Sequence, residues 1–238
     1  MSDATDRRVA MISGASRGIG AAIAGTLAGR GWALSLGMRQ PDAPRPPVPA
    51  AAPKPLAHRY EARDPTSEAA WVAATVGRFG RIDAVIANAG IMIPKSVVEA
   101  SDEDVEAVLD INVKAPLRLV RAAWPWLSAC GSGRVVTVVS LSGKRVKTAR
   151  AGLYAVSKFA ALAFAHGVRH AGWDLGIRST AICPGFVATD LAAGVSTRPL
   201  DDMIQPADLA AVVAMVLDLP NTASIAELPI NSALEESY

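Results

Sequence analysis

The stretch Val9–Gly20 reads VAMISGASRGIG and places a short apolar run directly before a glycine-rich turn. Glycines at positions 14, 18 and 20 permit a tight turn and let backbone amides approach an anion. The alanine-rich residues from Gly18 to Arg30 then predict a helix whose N-terminus faces that turn. A strand, a glycine-rich turn and a helix in this order favour a dinucleotide-binding unit. The GxxxGxG spacing taken alone also fits a purely structural strand–helix turn.

Beyond this unit, short β-branched runs alternate with alanine-rich helical stretches, as in a doubly wound parallel sheet whose strands are buried on both faces. We therefore predict a single Rossmann-like α/β domain over residues 1–238, with three α/β/α layers. The predicted strands are Val9–Ser13, Ala33–Gly37, His58–Glu61, Ala84–Ala87, Arg134–Val139 and Arg178–Cys183. The predicted helices are Gly18–Arg30, Ser67–Phe79, Asp102–Ser128, Tyr154–Ala171 and Pro206–Asp218.

One connection departs from the alternation, because residues 41–55 contain seven of the 16 prolines. Proline lacks the backbone donor that a helix interior needs, so we predict an irregular, surface-lying crossover loop. A linker between two domains is the alternative interpretation. Only about 40 residues precede the segment, however, which is too few for a separate domain.

Composition excludes several classes of protein. The 24 Lys and Arg residues against 22 Asp and Glu leave a net charge of +2, too small to indicate nucleic-acid or membrane binding. No apolar run approaches the roughly 20 residues of a membrane helix, so we expect a cytoplasmic protein without a membrane partner. Cys130 and Cys183 lack metal or disulfide spacing, and His166 and His170 lack a glutamate at Gly167, so no metal site is predicted.

The end of the second predicted strand bears on the choice of cofactor. Residues 36–39 lie about 20 residues past the glycines, where an acidic side chain would bind the 2′-hydroxyl of an adenosine ribose. No carboxylate is present there, and Arg39 with Arg17 could instead flank a 2′-phosphate through bidentate hydrogen bonds. NADP is therefore favoured over NAD. The alternative is that both arginines are ordinary solvated surface residues.

Tyr154 and Lys158 are four residues apart and lie one turn apart on the same face of a predicted helix. A phenol with a pKa of about 10 is a poor proton shuttle near neutrality, but a nearby ammonium group lowers that pKa. The pair is thus a candidate for acid–base catalysis. Such pairs also occur on helix surfaces with no catalytic role.

Together with these residues, further ordered motifs resemble the short-chain dehydrogenase/reductase family over nearly the whole chain. Ser13-Gly14 to Gly20 is similar to TGxxxGxG, Asn88-Ala89-Gly90 to NNAG, and Tyr154 with Lys158 to YxxxK. Asp64 resembles the acid that meets the adenine, Asn112 the asparagine of the catalytic helix, Ser140 the catalytic serine, and Pro184-Gly185 with Thr189 the nicotinamide contact.

The resemblance implies roles for these positions. Ser140 would donate to the substrate oxygen, Tyr154 would transfer the proton, Lys158 would lower the phenol pKa and hold the nicotinamide ribose, and Asn112 would position a water. The cofactor-binding residues implied, with the two arginines above, are Gly14, Ser16, Arg17, Gly18, Ile19, Gly20, Arg39, Asp64, Asn88, Ala89, Gly90, Tyr154, Lys158, Pro184, Gly185, Val187 and Thr189.

Two departures from the family pattern are visible. The gap between Ser140 and Tyr154 is one residue longer than the family's, which leaves Ser142 as a second candidate for the serine role. The C-terminal stretch Ala223–Asn231 resembles the branch of the family that ends in an extended strand. This second departure affects the quaternary arrangement, which the resemblance predicts to be a homodimer or homotetramer.

The predicted function is NADP(H)-dependent interconversion of an alcohol and a ketone or aldehyde, acting on a small-molecule substrate. A nucleotide-binding regulatory or scaffolding protein that has lost turnover is the alternative. Residues 190–205 are predicted to form a lid over the substrate. Lys144, Arg145, Lys147 and Arg150 lie in the loop before Tyr154, where they are either a solvated charged surface or an attractor for an anionic substrate.

Overall fold

The computed structural model describes residues 7–42, 48–50 and 52–234, which form seven strands and seven α-helices. The strands are β1 Val9–Ser13, β2 Ala33–Met38, β3 Leu56–Arg59, β4 Ala84–Ala87, β5 Arg134–Val138, β6 Arg178–Pro184 and β7 Glu227–Ile230. The helices are α1 Gly18–Gly29, α2 Ser67–Phe79, α3 Asp102–Leu109, α4 Ala115–Ala129, α5 Gly152–Gly172, α6 Asp190–Ala193 and α7 Pro206–Asp218.

All seven strands pair in parallel in the order β3-β2-β1-β4-β5-β6-β7. The order reverses between β1 and β4, so the chain crosses to opposite sides of β1 and leaves a crevice at the carboxyl ends of these two strands. This Rossmann-like, doubly wound single domain confirms the predicted fold class.

The sheet is covered by one helical layer on each face. Helices α1 and α7 pack together on one face, and α2 and α4 pack together on the other. Trp71 of α2 is fully buried against β2, where its Nε1 donates to the Ser35 hydroxyl at 2.8 Å. A Cβ at Gly37 would lie 2.6 Å from the Trp71 ring, so this glycine lets the indole pack directly against the strand.

Most element boundaries agree with the sequence prediction to within one or two residues. Strand β3 is shifted by two residues at both ends, to Leu56–Arg59 in place of the predicted His58–Glu61. The reason is register: Arg59 pairs with Met38, the last residue of β2, and there is no β2 residue beyond it to pair with. The predicted helix Asp102–Ser128 is interrupted by a π-helical turn over Asp110–Lys114, and such turns occur frequently at functional sites.

The proline-rich crossover lies partly outside the described residues. Its described parts, residues 41–42, 48–50 and 52–55, are turns and irregular backbone without helix. Residues 43–47 and 51 are not described, so the irregular crossover loop over 41–55 stays a prediction.

Helix α5, with the turn before it, is the one described segment long and apolar enough to span a membrane by length and composition. Within the fold it packs against β6 and the loop after β5, and its buried residues include Ala155, Ala161 and Ala165. These contacts are those of a core helix.

Candidate active site

A cleft of about 1160 Å³ opens at the carboxyl edge of the sheet. The turn after β1 and the end of β2 line one part of it, and the ends of β4, β5 and β6 line the rest. Residues 185–197, which follow β6, close it on one side. The cleft therefore lies at the switch point of the strand order, where open α/β sheets bind their ligands.

The glycine-rich turn forms one end of the cleft, lined by Gly14, Ser16, Arg17, Gly18 and Ile19. Gly14 has φ of +66°, a conformation that favours glycine. Gly20 lies behind the turn, where a Cβ would sit 2.3 Å from the Gly14 carbonyl oxygen. The turn can adopt this tight path only with glycine at these positions, and it presents the N-terminus of α1 to the cleft as a phosphate-sized cradle.

A hydrogen-bond network joins this turn to the end of β4. The Ser13 hydroxyl accepts from the backbone N–H groups of Asn88 and Ala89, each at 3.0 Å. The Asn88 side chain donates back to the Ser13 carbonyl oxygen at 2.9 Å. Ser13 was not predicted as a site residue, although its place in the threonine position of the family motif was the available signal. It holds the two strand ends in register at the floor of the cleft.

At the end of β2, the exposed Arg39 lines the cleft beside Met38, which is 2% exposed. Among the described residues, Arg39 forms no ion pair. Arg17, the second predicted phosphate ligand, instead pairs with the Asp190 carboxylate at 2.5 Å. Both members of that pair are highly exposed, so the pair contributes little and can be exchanged for another anion.

Asp64, which the resemblance assigns to the adenine site, is not among the residues that line the cleft, and its contact with the adenine stays a prediction. The Asp64 carboxylate lies outside the cleft and accepts from the Thr66 backbone N–H at 2.9 Å and its hydroxyl at 2.7 Å, at the start of α2. These bonds hold the pKa of Asp64 below its usual value. Glu61, which follows β3, lines this end of the cleft.

Ser140, Tyr154 and Lys158 meet at the other end of the cleft. Tyr154 lies in the first turn of α5 and Ser140 follows β5, and their side chains are hydrogen-bonded. The Ser140 hydroxyl also accepts from the Ser142 backbone N–H at 3.0 Å, which fixes its position. The Lys158 ammonium lies 5.6 Å from the Tyr154 ring centroid and donates to the Val138 carbonyl oxygen at 2.9 Å.

Burial controls the charge states of this cluster. It raises the pKa of Tyr154 to about 12, while the hydrogen bond with Ser140 acts in the opposite direction. It also lowers the pKa of Lys158 to about 8. The Tyr154–Lys158 spacing predicted that the ammonium lowers the phenol pKa, but in the protein without cofactor desolvation raises it.

Asn112 lies in the π-helical turn and is 3% exposed. Its Oδ1 accepts from the Ile91 backbone N–H at 2.9 Å, and its Nδ2 donates to the Ile91 carbonyl oxygen and to the Ser157 hydroxyl, each at 2.9 Å. The Ser157 hydroxyl in turn donates to the Tyr154 carbonyl oxygen at 2.7 Å. The side chain predicted to position a water is thus occupied in joining the loop after β4 to α5. Ser157, which sequence reasoning missed, is its partner.

The remaining predicted contacts also line the cleft. Pro184, Gly185, Val187 and Thr189 lie at or after the end of β6, and Asn88, Ala89 and Gly90 follow β4. Thr189 packs close to the glycine-rich turn, since a Cβ at Gly18 would lie 3.1 Å from its methyl group. The two halves of the site, cradle and Tyr154 cluster, therefore face a single space.

Comparison with known proteins identifies the family. The family model described as short chain dehydrogenase matches residues 8–199 of this chain. The protein is a short-chain dehydrogenase/reductase. This agrees with the sheet order and with the site residues brought together at the cleft.

Proteins that are similar to this short-chain dehydrogenase/reductase in sequence or in structure are named for different activities. Agropine synthesis reductase of Rhizobium rhizogenes is 40% identical over 218 residues, which cover 91% of this chain and 50% of that relative. The chain thus spans about half the length of that relative. Oxidoreductase UcpA of Escherichia coli K12 is 31% identical, with 97% of this chain and 89% of the relative covered.

Among solved structures, an alcohol dehydrogenase from Thermococcus sibiricus, complexed with 5-hydroxy-NADP, superposes with a TM-score of 0.83 at 27% identity. A short chain dehydrogenase from Burkholderia cenocepacia, in complex with NADP, also superposes with a TM-score of 0.83, at 26% identity. In both cases 97% of this short-chain dehydrogenase/reductase and 99% of the other chain are covered.

Proposed function

We propose that this protein is an NADP-dependent oxidoreductase that interconverts an alcohol and a ketone or aldehyde. The observation that carries the proposal is the single cleft, which has a phosphate-sized glycine cradle at one end and the Ser140, Tyr154 and Lys158 side chains at the other. A protein that only bound the nucleotide would need the cradle but not the hydrogen-bonded Ser140–Tyr154 pair.

The cofactor, when bound, supplies or accepts the hydride. The protein residues would handle the oxygen and its proton. Ser140 would donate a hydrogen bond to the substrate oxygen, and Tyr154, which is hydrogen-bonded to Ser140, would exchange a proton with that oxygen. Because burial keeps the Tyr154 pKa near 12, the phenol is protonated at neutral pH and enters the reaction as an acid, which suits carbonyl reduction.

The preference for NADP rests on the end of β2. Arg39 lines the cleft at the end of β2, where it would bind the 2′-phosphate, and Met38 offers no carboxylate to a 2′-hydroxyl. Arg17 can join Arg39 if it exchanges the Asp190 carboxylate for the phosphate. The two solved relatives described above were both crystallised with NADP or a derivative of it, which supports the same choice.

The direct test is turnover of a panel of ketones and aldehydes with NADPH, followed as loss of absorbance of the reduced nicotinamide. We expect reduction of at least some carbonyl compounds and the reverse oxidation of the product alcohols. Tight NADPH binding with no turnover across aliphatic, aromatic and acidic carbonyl compounds would contradict the proposal. That result would instead favour a catalytically silent nucleotide-binding protein.

The two directions should differ in their dependence on pH. Oxidation needs Tyr154 as phenolate, and the phenolate fraction rises with pH while the pH stays below the Tyr154 pKa of about 12. Reduction needs the phenol, which stays protonated over the same range. We expect initial rates of oxidation to rise by up to about 100-fold between about pH 7 and about pH 9, with no rise for reduction. An oxidation rate that is flat or falls with pH would mean that another group is the base.

Three further expectations belong to the same proposal. Residues 190–205 contain α6 and a 3₁₀ turn at Leu200–Asp202, and Leu191–Thr197 line the cleft, as a substrate lid would. Apolar side chains exposed on α4 and α5, among them Trp126, Val156 and Phe159, support a homodimer or homotetramer. We also propose a cytoplasmic location.

A further inference from the structure

The segment that follows β3 lines the cleft without a neighbouring strand to hold it. Tyr60, Glu61 and Ala62 all line the cleft. The Tyr60 backbone N–H donates to the carbonyl oxygen of Met38, the last residue of β2, at 2.9 Å. Because β3 is an edge strand and β2 ends there, no strand of the described chain pairs with the residues after Tyr60. Their position therefore depends on the helices packed against them.

Side chains of α2 and α4 hold this segment at two points. The Glu61 backbone N–H donates to the Ser67 hydroxyl of α2 at 2.9 Å. Arg118 of α4 donates from Nη2 to the Ala62 carbonyl oxygen at 2.6 Å. Its guanidinium also binds both carboxylate oxygens of Glu68, from Nε and from Nη2, each at 3.0 Å. This two-point contact fixes the orientation of the guanidinium, and with it the position of the Ala62 carbonyl.

Glu68 is 1% exposed, yet its carboxylate is stabilised from several sides. It lies in the first turn of α2, where the helix dipole favours a negative charge. The Tyr60 hydroxyl donates to its Oε1 at 3.4 Å, and burial together with this carboxylate raises the pKa of Tyr60, so the phenol stays a donor. Neither Glu68 nor Arg118 is among the described residues that line the cleft. Both can therefore act on a bound cofactor only through the segment after β3.

Stability alone does not account for an ion pair at this position. The cost of desolvating a buried pair offsets its attraction, and apolar side chains of similar volume are often as stable. The pair lies beside an apolar cluster that includes Tyr60, Trp71 and Leu119. Apolar side chains could fill this space, but they could not bind the Ala62 carbonyl oxygen. The geometry thus favours a role in position.

We propose that Arg118 and Glu68 are positioning residues for the adenosine half of NADP(H). They fix the backbone of the segment after β3 in the conformation that receives the adenine base. The ribose with its 2′-phosphate would lie at the end of β2, so the base attached to it would lie against the adjacent segment. Without the pair the segment would have to be ordered when the cofactor binds, and that cost weakens affinity.

The experiment compares binding of the two halves of the cofactor. NADPH, adenosine 2′,5′-bisphosphate and reduced nicotinamide mononucleotide are titrated by calorimetry, and melting temperatures are measured without ligand. E68L/R118M replaces the pair by apolar side chains, whereas Arg118→Met alone leaves the Glu68 carboxylate buried without its partner. Arg121→Met makes the same change at an exposed position of α4, one turn further on and outside the cleft, and is the matched control.

We expect E68L/R118M to weaken NADPH and adenosine 2′,5′-bisphosphate by the same factor, about tenfold, while its melting temperature stays near that of the native protein. Affinity for reduced nicotinamide mononucleotide should be unchanged. Arg118→Met alone should lower the melting temperature clearly, because an unpaired carboxylate is left buried. Arg121→Met should change none of these quantities. With a substrate that is turned over, E68L/R118M should raise the KM for NADPH and leave kcat unchanged.

Native affinity of E68L/R118M for adenosine 2′,5′-bisphosphate would overturn the proposal, and so would equal weakening of both half-cofactors. If the double variant does not fold, Arg118→Lys replaces it, since an ammonium still neutralises Glu68 but lacks the planar fork that reaches all three oxygens. Arg118→Lys should weaken adenosine 2′,5′-bisphosphate by about threefold or more, and an unchanged Kd would overturn the proposal. These measurements need no turnover. NADPH binding without carbonyl reduction would therefore contradict the oxidoreductase function alone.

Discussion

Replacement of Tyr154 by phenylalanine is expected to lower turnover of any verified substrate by about 10² to 10⁴-fold while the fold is kept. The variant removes only the hydroxyl that is hydrogen-bonded to Ser140, and the aromatic ring remains in the first turn of α5. Ser140 keeps its bond from the Ser142 backbone N–H, so its hydroxyl stays in place. The loss should therefore appear in kcat, because the missing interaction is the proton transfer itself.

The measurement is a steady-state assay with purified native and variant proteins, accompanied by melting temperature and NADPH titration. Unchanged melting and unchanged NADPH affinity would show that the loss concerns chemistry. Val156→Ala, an exposed position on the same helix that does not line the cleft, is a control for α5 itself. Near-native turnover by Tyr154→Phe would exclude this tyrosine as the proton donor.

Arg39→Gln is expected to weaken NADPH binding by about tenfold or more and to leave NADH binding nearly unchanged. A charge-assisted hydrogen bond is worth about 1.5–3 kcal/mol, which corresponds to roughly that factor in Kd. Arg39 is exposed, and within the described chain it makes no ion pair, so its replacement should cost the fold little. Titration of both cofactors by fluorescence or calorimetry measures the change directly.

A double variant tests the same position from the opposite direction. Met38→Asp combined with Arg39→Gln should reverse the preference, since a carboxylate at the end of β2 accepts from a 2′-hydroxyl and repels a phosphate. Met38 is 2% exposed and packs in the core on the α1 face, so the melting temperature of the double variant must be measured alongside. Equal affinity of the native protein for NADPH and NADH would mean that Arg39 is an ordinary surface charge.

Much of the fold could be predicted from local patterns in the amino-acid sequence. The β1–turn–α1 unit, the bounds of β4, α2 and α7, and the parallel three-layer arrangement agree with the sequence prediction. Each depends on residues adjacent in the chain: buried β-branched runs, glycines at a turn, or a proline at the first position of α7. The end of β3 was predicted two residues too late, because pairing with β2 decides it.

The site residues, like the elements of the fold, could be predicted where the signal lies in residues close together in the chain. Tyr154 and Lys158 share one helix, so their spacing alone placed them on one face. The role of Asp64 at the adenine was assigned from its motif and stays a prediction, while Glu61, which lines the cleft, was not predicted. The Arg17–Asp190 pair and the Asn112–Ser157 bond join residues 173 and 45 positions apart, and nothing in the local sequence indicates either partner.

The sequence by itself determined that this chain forms a doubly wound sheet with a glycine cradle and a tyrosine–lysine pair. The sheet follows from the alternation of strands and helices along the chain, and the cradle and the pair each lie within a single turn or helix. Only the tertiary structure decided which charges face the cleft. Lys144 turns to Glu227 while Arg145, Lys147 and Arg150 line the substrate end. It also decided that the Tyr154 pKa rises, because the desolvation of the phenol depends on how the folded chain packs around it.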